Sequence, residues 1–368
     1  MIKFLKKITK NFFYILFTII YKKILVSIKA ENDENTHVEK ISKFNNNYKI
    51  YKISEARLYT NTIDDLAIIS NNKIVEGPSY QLRPDPNDDL SPRNNSHVSN
   101  NIVFKIGTPK ILKKKTGSVL SLLSGGGANK NYFHWLFDVL PRLSLLEEKI
   151  KNLPDYLLVP NDELHFQRET LDLIGFHEKK ILSSKKFRHL FCDILFVTDH
   201  PYAIKNDIFK DRDNIPKWIS EWLNSKFLKY KKSYRKDLKK IYIDRDDLDP
   251  NRKSFRRILN EEQLRSFLKK FGFEFIKLNE VNFVNQIGIF NDAEIIVGLH
   301  GAGFANLPFC KKNTKIIEFR TIETGEIIEN IAKSNGLNFQ SIKITPESLS
   351  DKQNGLINVP INELQKLI

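Results

Sequence analysis

Apolar and polar positions alternate regularly through the second half of the chain. Four short apolar runs predict buried strands: Ile241–Ile243, Phe273–Leu278, Ile295–Val297 and Ile316–Phe319. Two longer segments with helical spacing, Asn260–Phe271 and Phe283–Phe290, lie between them. This alternation predicts an α/β fold with a parallel sheet and crossover helices. Asp244–Arg245, Gly298–Gly303 and Glu318–Arg320 then fall at strand carboxyl ends, where such sheets bind ligands.

The first half of the chain has a weaker pattern of the same kind. Six runs predict strands: Lys49–Ile53, Leu66–Ile69, Ile102–Ile106, Val119–Leu123, Tyr156–Val159 and Ile194–Val197. Three segments predict helices: Asn131–Leu140, Glu163–Ile174 and Pro216–Tyr230. Arg83–Asn95, with three prolines, predicts an exposed loop.

The length and the charge pattern predict a division of the chain. At 368 residues it is long enough for two domains with separate cores. Lys226–Lys240 holds eight basic residues and one acid, which is typical of a solvated helix face before a linker. The alternative is contact with nucleic acid or lipid. We therefore expect a basic segment over 1–30, one domain over 31–235 and a second over 236–368, whose final helix packs back on the first domain.

The first thirty residues are basic and apolar. They hold seven lysines and no acid: Lys3, Lys6, Lys7, Lys10, Lys22, Lys23 and Lys29. The apolar stretch Phe12–Tyr21 is too short to span a bilayer, which takes about 20 residues. This pattern predicts a segment that lies on the anionic inner leaflet of a membrane. A signal peptide and an ordinary helix packed on the domain are the alternatives.

The overall composition limits the classes of partner and of metal site that this chain is expected to have. The net charge of +15 points to an anionic partner. The two cysteines, Cys192 and Cys310, cannot form a disulfide framework, and the sequence has no CxxC or histidine-rich zinc motif. This cysteine usage fits a reducing cytosol.

The most informative stretch is Ile295–Phe309, IIVGLHGAGFANLPF. A strand-length apolar run leads through a glycine-rich turn into a helix-compatible segment. Such a turn lets the backbone approach a ligand and points free N–H groups at it, which suits a phosphate. His300 inside the turn and Asn306 beyond it make this copy more specific than a bare glycine pattern.

A second informative block is Ser118–Leu146, in which a predicted strand, a glycine turn at Ser124–Gly127 and a helix follow one another. His134 and Asp138 are four residues apart and share one face of that helix. Two ionisable groups in this position form a candidate acid–base site. A helix cap with a histidine satisfied by its neighbouring carboxylate is the structural alternative.

Five motifs together resemble one known family. NYFHWLFDVLPRL, IYIDR, RRILNE, VGLHGAGFANLPF and IIEF occur from about residue 118 to 320. In this order they resemble glycosyltransferase family 61, whose bacterial members are described as capsular polysaccharide biosynthesis proteins. The resemblance implies a GT-B architecture, with two Rossmann-like domains facing each other across a cleft. It also implies inverting, metal-independent transfer of a sugar from a nucleotide-sugar donor to a glycan acceptor, which we expect to be lipid-linked.

The resemblance also assigns expected roles to individual residues. The expected donor-binding set is Arg245, Arg256, Arg257, Asn260, His300, Gly301, Ala302, Gly303, Asn306 and Glu318. The cationic members and the turn N–H groups suit the leaving diphosphate, and Glu318 suits the two ribose hydroxyls. Asp138 or His134 is the expected base for the acceptor hydroxyl.

One departure from the family pattern concerns a metal. The family usually has serine where this chain has Asp244, which creates Asp244-Arg245-Asp246-Asp247. An Asp-x-Asp after a strand is typical of the Mg²⁺ or Mn²⁺ site of a metal-dependent GT-A transferase, which is the alternative interpretation. Because the surrounding motifs fit the metal-free family, we expect no metal and no cofactor.

Three other classes of protein explain less of the sequence. A nucleic-acid-binding protein would account for the charge, but no motif of that class occurs, and we expect no nucleic-acid partner. A Rossmann dehydrogenase would need GxGxxG, which is absent here. A non-catalytic membrane scaffold would leave the converging Arg, His and Glu residues without a role. We therefore expect a cytoplasmic enzyme, peripheral at the inner face of the cell membrane.

Overall fold

The computed structural model contains two compact units, Met1–Asp211 and Arg212–Ile368. The residues described are 2–43, 45–60, 66–79, 82–83, 94–95, 98–123, 130–160, 164–203, 211, 213–235, 237–245, 256–348 and 353–368. Side chains are described for these residues except 2–8, 10, 82–83 and 94–95. The predicted glycine turn Ser124–Gly127 and the acids Asp246 and Asp247 lie outside the described residues.

The elements follow in chain order. The strands of the N-terminal unit are β1 Ser27–Lys29, β2 Thr36–Lys43, β3 Asn46–Thr60, β4 Leu66–Ser70, β5 Lys73–Glu76, β6 Leu82–Arg83, β7 Asn94–Asn95, β8 Lys113–Ser121, β9 Tyr156–Val159, β10 Ile181–Ser183 and β11 His189–Thr198. Those of the C-terminal unit are β12 Lys240–Asp244, β13 Glu274–Lys277, β14 Ile295–Leu299, β15 Lys315–Thr321 and β16 Asn338–Ile344. The α-helices are α1 Ile2–Tyr21, α2 Val103–Ile106, α3 Tyr132–His134, α4 Pro141–Glu147, α5 His165–Leu173, α6 Lys217–Phe227, α7 Glu261–Lys270, α8 Phe283–Asp292, α9 Ile327–Ser334 and α10 Ile361–Leu367.

The C-terminal sheet is parallel throughout, in the order β13-β12-β14-β15-β16. Counted from the first strand of the unit, this is the doubly wound order 2-1-3-4-5. Every strand predicted from β12 to β15 is present. The α/β fold class is therefore confirmed, while the GT-B arrangement stays a prediction.

The N-terminal sheet is mixed and departs from the Rossmann-like expectation. Its order among the described residues is β1-β5-β4-β3-β11-β8-β9-β10, with β2 on β3. The strands β11, β8, β9 and β10 run parallel, whereas β2, β4 and β11 each pair antiparallel with β3. A two-residue turn at Asn71–Asn72, with φ of 45° and 62°, closes the β4–β5 hairpin. Asparagine tolerates this left-handed region better than most residues, so this sequence favours a hairpin over a crossover.

Residues 213–235 group with the C-terminal unit, so the division falls earlier than the expected 235/236 boundary. Asn224 donates from Nδ2 to the Pro308 carbonyl at 2.7 Å, and the Lys232 N–H donates to the Val284 carbonyl at 3.1 Å. A Cβ on Gly288 would come within 1.9 Å of the Lys232 carbonyl oxygen, so glycine is what allows this approach. The expected linker therefore packs against α8.

The final helix α10 contributes Leu364 to the C-terminal core, together with Tyr242 and Ile317. Its expected packing on the N-terminal domain stays a prediction. One sequence prediction was wrong. Ile102–Ile106 does not form a strand. The Asn101 side chain accepts a hydrogen bond from the Val103 N–H at 3.1 Å, and the chain forms the short helix α2 instead.

Helix α1 covers most of the basic N-terminal segment. Within the described part of the chain, no helix combines the length and apolarity needed to cross a bilayer. The expected membrane contact of this segment stays a prediction at this point.

A buried histidine in the N-terminal unit gives a testable pH dependence of stability. His189 is 1% exposed, and its Nδ1 lies 2.9 Å from the Lys110 carbonyl oxygen. Burial lowers the pKa of His189 from 6.5 to about 4, with the Arg57 charge adding to this and the Lys110 carbonyl opposing it. Between these values the unfolded chain binds a proton that the folded chain does not. The contribution of His189 to stability is therefore full above pH 6.5 and falls as the pH drops toward 4.

We expect His189→Gln to remove this pH dependence. Between pH 7 and pH 5 the wild-type protein should lose about 2 kcal/mol more of its free energy of unfolding than the variant does. Urea denaturation at both pH values, followed by the fluorescence of the tryptophans, measures the difference; of these, Trp135 is buried in the same unit as His189. Equal losses in the two proteins would show that His189 does not carry this proton linkage.

Candidate active site

The first group of chemically active residues follows β8 in the N-terminal unit. Asn131 begins the helix, because its Oδ1 accepts from the N–H groups of Phe133 at 2.9 Å and His134 at 3.3 Å. The backbone then widens into a π-helical turn over Trp135–Val139. Such turns are frequent at functional sites. The predicted pair is formed across this widened turn, with His134 Nδ1 2.8 Å from Asp138 Oδ2.

Asp138 is held by three side chains. Besides His134, the Tyr202 hydroxyl donates to Oδ1 at 2.6 Å, and His200 Nε2 lies 3.8 Å from Oδ2. The carboxyl group is only 3% exposed. Burial raises its pKa, but His134 and His200 outweigh this and hold the pKa of Asp138 below its usual range. Asp138 is therefore an ionised, enclosed carboxylate at neutral pH.

The two histidines around Asp138 differ in exposure. The side chain of His134 is 27% exposed, whereas that of His200 is 1% exposed. Burial lowers the pKa of His200, although Asp138 opposes this. An ionised carboxylate can only accept, so the neutral His134 ring carries its hydrogen on Nδ1 and leaves Nε2 as an acceptor. His134 is thus the member of the pair that a substrate can reach.

Sequence reasoning missed His200 and Tyr202. They come directly after β11, the parallel neighbour of β8, and so fall at the same edge of the sheet as the helix that follows β8. The sequence carried a signal for them, because the apolar run Ile194–Val197 is followed by Thr-Asp-His-Pro-Tyr. Polar side chains directly after a buried parallel strand are candidates for a site.

A buried arginine links the two strand ends. Arg142 is 1% exposed and donates from Nη1 to the Leu123 carbonyl and from Nη2 to the Thr198 carbonyl. Its Nε also donates to the Thr198 hydroxyl at 3.2 Å. Leu123 follows β8 and Thr198 ends β11, so Arg142 fixes the positions from which both groups of site residues extend.

The second group lies at the carboxyl end of the C-terminal sheet. Arg245 follows β12 and His300 follows β14, and these two strands are adjacent where the strand order reverses. This is the position at which doubly wound sheets bind ligands. His300 Nδ1 lies 2.6 Å from Oε1 of Glu318 on β15. Each unit therefore contains a histidine that a carboxylate holds through Nδ1.

Two arginines converge on the turn. Arg245 donates from Nη1 to the His300 carbonyl at 2.9 Å, and Arg256 donates from Nη1 to the same oxygen at 3.2 Å. A Cβ on Gly301 would lie 3.0 Å from Arg245 Nη1, so glycine leaves room for this guanidinium. Two cations that share one carbonyl repel each other, and an anion bound beside them relieves that repulsion.

The turn itself continues into a 3₁₀ helix, Ala302–Phe309, rather than an α-helix. The first N–H groups of a helix have no partner within it and suit an anion. Arg257 is partly exposed, and its side chain makes no hydrogen bond or ion pair with another described residue. The arginines, His300 and the turn together form a basic cluster at the strand ends.

Residues 132–317, about half of the chain, match the family described as Glycosyltransferase 61. The chain belongs to the glycosyltransferase 61 family. The matched region begins at the first residue of α3, which carries His134, and ends one residue before Glu318.

Two curated relatives match part of the chain. Both are named EGF domain-specific O-linked N-acetylglucosamine transferase. The protein of Drosophila melanogaster is 27% identical over 93 residues, which cover 24% of this chain and 18% of the relative. The protein of Mus musculus is 29% identical over 90 residues, covering 23% and 17%. The match thus spans less than a fifth of either relative, and it supports the expected enzyme class of glycosyltransferase.

Within this family member, three expected donor-binding residues have structural roles. Glu318 and Asn306 are both 0% exposed. Glu318 holds His300, and Asn306 donates to Gln286 Oε1 at 2.9 Å and to the Gly303 carbonyl at 3.3 Å. Neither side chain is accessible to a ribose or a phosphate. They fix the turn instead.

Asn260 is the third expected donor-binding residue with a structural role. Its Nδ2 donates to the Val359 carbonyl at 2.9 Å, and its Oδ1 accepts from the Val359 N–H at 2.9 Å. This pair of bonds ties the start of α7 to the C-terminal segment. Nothing in this geometry turns the amide toward a ligand.

Glu318 is also linked to an arginine that sequence reasoning left without a role. Arg320 Nη1 lies 3.7 Å from Glu318 Oε2, and Arg320 Nη2 donates to Glu329 Oε2 at 2.7 Å. Both Glu318 and Arg320 are almost completely buried. The arginine stabilises the carboxylate that holds His300, so a chain of charges fixes the orientation of that ring.

The contacts of Asp244 bear on the alternative interpretation, a metal-dependent transferase with an Asp-x-Asp site. Arg265 Nη2 donates to Asp244 Oδ1 at 2.5 Å, and Asp244 is 5% exposed. The carboxylate is therefore paired with an arginine. Among the described residues, no group of three or more His, Cys, Asp or Glu side chains could hold a metal ion. Asp246 lies outside those residues, so the expectation of no metal stays a prediction.

Proposed function

We propose that this chain transfers a sugar from a nucleotide-sugar donor to a hydroxyl group of a glycan acceptor, with inversion and without a metal ion. The observation that carries this proposal is the convergence of Arg245 and Arg256 on the glycine turn at the strand-order reversal. A diphosphate is the anion that such a cluster fits, since it has several oxygens for guanidinium and backbone N–H donors.

The basic cluster is suited to the leaving group. As the bond between the anomeric carbon and the diphosphate oxygen breaks, its electron pair stays on that oxygen and negative charge grows there. Arg245, Arg256 and the N–H groups of Ala302 and Gly303 are donors that stabilise this charge, and an imidazolium at His300 would add a further donor at Nε2. Glu318 fixes the His300 ring and Asn306 fixes the turn in advance, so little reorganisation of these two parts is needed during the reaction.

The acid–base pair is suited to the acceptor. Inversion requires the acceptor hydroxyl to attack from the face opposite the diphosphate while it loses its proton. We assign His134 Nε2 as the base that takes this proton and Asp138 as the residue that positions the ring. The low pKa of Asp138 makes its carboxylate a weak base, and its ionised form stabilises the imidazolium that results.

The names of the relatives suggest the first donor to try. Both relatives are N-acetylglucosamine transferases by name, so a nucleotide-linked N-acetylglucosamine is our first candidate. For the acceptor we propose a lipid-linked glycan of bacterial surface polysaccharide synthesis. The net charge of +15 supports an anionic acceptor of this kind.

We expect EDTA to leave binding and turnover unchanged, because the arginines and the donors of the turn take the place of a metal ion. Release of nucleoside diphosphate from the donor is measured with the full chain in EDTA, in Mg²⁺ and in Mn²⁺. Equal rates in all three support the proposal. Loss of the rate in EDTA with recovery in Mn²⁺ would favour the metal site at Asp244 and Asp246 instead.

A further inference from the structure

Helix α1 exposes an apolar face. The side chains that face the N-terminal unit are half-buried: Tyr14, Phe17, Thr18 and Tyr21. On the other side, Phe12, Ile15 and Ile19 are 60%, 63% and 75% exposed. Their spacing of three and four residues places them in one stripe along the helix. In the sequence the same spacing continues to Leu5 and Ile8.

The C-terminal end of α1 is attached to the unit through Tyr21. Its hydroxyl accepts a hydrogen bond from the Leu112 N–H at 2.9 Å, and its ring packs edge-on against His189 at 4.8 Å. Thr18 lies beside Gly107, where an added Cβ would come within 3.4 Å of its hydroxyl. Because one face of the helix is held in this way, the stripe stays on the outside.

More exposed apolar residues lie at this end of the helix. Leu25 and Val26 follow α1 and are 68% and 53% exposed, and Ile111, next to Leu112, is 72% exposed. Apolar side chains grouped in this way are unusual on a free surface, and such groups mark contacts with a partner.

The charges around these residues identify the partner. Exposed lysines flank these apolar residues along the sequence. Lys22 and Lys23 follow α1, and Lys110, Lys113 and Lys114 lie around Ile111. The first thirty residues contain no acid. A second copy of this chain would bring the same lysines together and be repelled. An anionic lipid surface accepts both the lysines and the apolar stripe.

We propose that the outward stripe of α1, with Leu25, Val26 and Ile111 and the neighbouring lysines, docks on the surface of an anionic lipid bilayer. The helix lies in the plane of the interface and does not cross it. This inference does not rest on the proposed transfer reaction, and its test involves no turnover.

Co-sedimentation with vesicles tests the apolar stripe. The probes are vesicles of phosphatidylcholine alone and of phosphatidylcholine mixed with phosphatidylglycerol. The full chain should bind the mixed vesicles, and Phe12→Ser/Ile15→Ser/Ile19→Ser should bind them about 100-fold more weakly. The matched control is Leu153→Ser/Leu259→Ser/Ile322→Ser, which changes residues that are 44%, 49% and 48% exposed elsewhere. It should bind like the wild-type protein.

A second pair of variants tests the contribution of the lysines beside the stripe. Lys22→Glu/Lys23→Glu should weaken binding to the mixed vesicles at least about tenfold, and high salt should weaken binding of the wild-type protein. Lys269→Glu/Lys270→Glu reverses an adjacent exposed lysine pair at the end of α7 and should bind normally. Circular dichroism confirms that each variant is folded.

Three results would overturn the proposal. The first is equal binding of the stripe variant and the wild-type protein. The second is equal loss of binding in a control variant. The third is a wild-type dimer in sedimentation that the stripe variant abolishes, with no binding to either kind of vesicle.

Discussion

Replacing His134 with alanine should lower turnover by roughly 10²–10⁴-fold and leave nucleotide binding unchanged, as expected for loss of a general base. His134 is the partly exposed member of the pair, and Asp138 holds its Nδ1. Asp138 lies behind the imidazole and is bonded to the Tyr202 hydroxyl, so it is not placed to take the proton instead. The rate of sugar transfer and the dissociation constant of the nucleotide are measured side by side.

His177→Ala is the matched control for this variant. His177 Nδ1 lies 3.1 Å from Asp172 Oδ1, so it is a histidine–aspartate pair of the same kind in the same unit. Its side chain is 77% exposed and it lies outside the proposed site. We expect wild-type turnover from His177→Ala. Asp138→Asn, which retains the size of the side chain, should lower turnover without changing nucleotide affinity, because Asp138 acts through His134.

Two outcomes would contradict the assignment of His134. One is a loss of nucleotide affinity in His134→Ala as large as the loss of turnover, which would make it a donor-side residue. The other is wild-type turnover, which would leave the pair with the structural role that the sequence also allowed.

The second large effect is expected on the affinity for the diphosphate anion. Arg245→Ala/Arg256→Ala should weaken binding of nucleoside diphosphate and of inorganic pyrophosphate about 100-fold or more, since each hydrogen bond to a charged group contributes about 1.5–3 kcal/mol. Both guanidinium groups meet at the His300 carbonyl, so removing both leaves the turn without its nearest cations. Isothermal titration calorimetry measures both ligands directly.

Arg235→Ala is the control for the arginine variant. Arg235 lies in the same unit, is 56% exposed and pairs with Glu274 at 3.2 Å. Its loss should leave binding unchanged. Glu318→Gln should weaken binding less than the double arginine variant, because it acts only by releasing the His300 ring. Equal affinity of wild-type protein and Arg245→Ala/Arg256→Ala would show that the anion binds elsewhere.

The parts of the site that the sequence predicted share one property. Arg245 and His300 follow short apolar runs that could be recognised as parallel strands, and His134 and Asp138 are four apart on a recognisable helix. Strand ends meet at one edge of a sheet whatever the detailed packing is. Local pattern was therefore enough to predict these groupings.

Burial and long-range pairing were not predictable in this way. Asn306 lies in the same motif as His300 and Glu318 lies in the next one, and only the packed structure shows that both are fully enclosed. His200 and Tyr202 reach Asp138 across more than sixty residues of sequence, which no local pattern reveals. The mixed N-terminal sheet has the same cause, because β3 pairs with strands both near and far along the chain.

One measurement tests the central claim most directly. The purified chain is titrated in EDTA with UDP-, GDP-, CMP- and dTDP-sugars, alongside Arg245→Ala/Arg256→Ala and His134→Ala. We predict that at least one class binds to the wild-type protein, that the arginine variant loses this binding and that His134→Ala retains it. Failure of all four classes to bind, or equal binding by the arginine variant, would contradict a nucleotide-sugar site at the glycine turn.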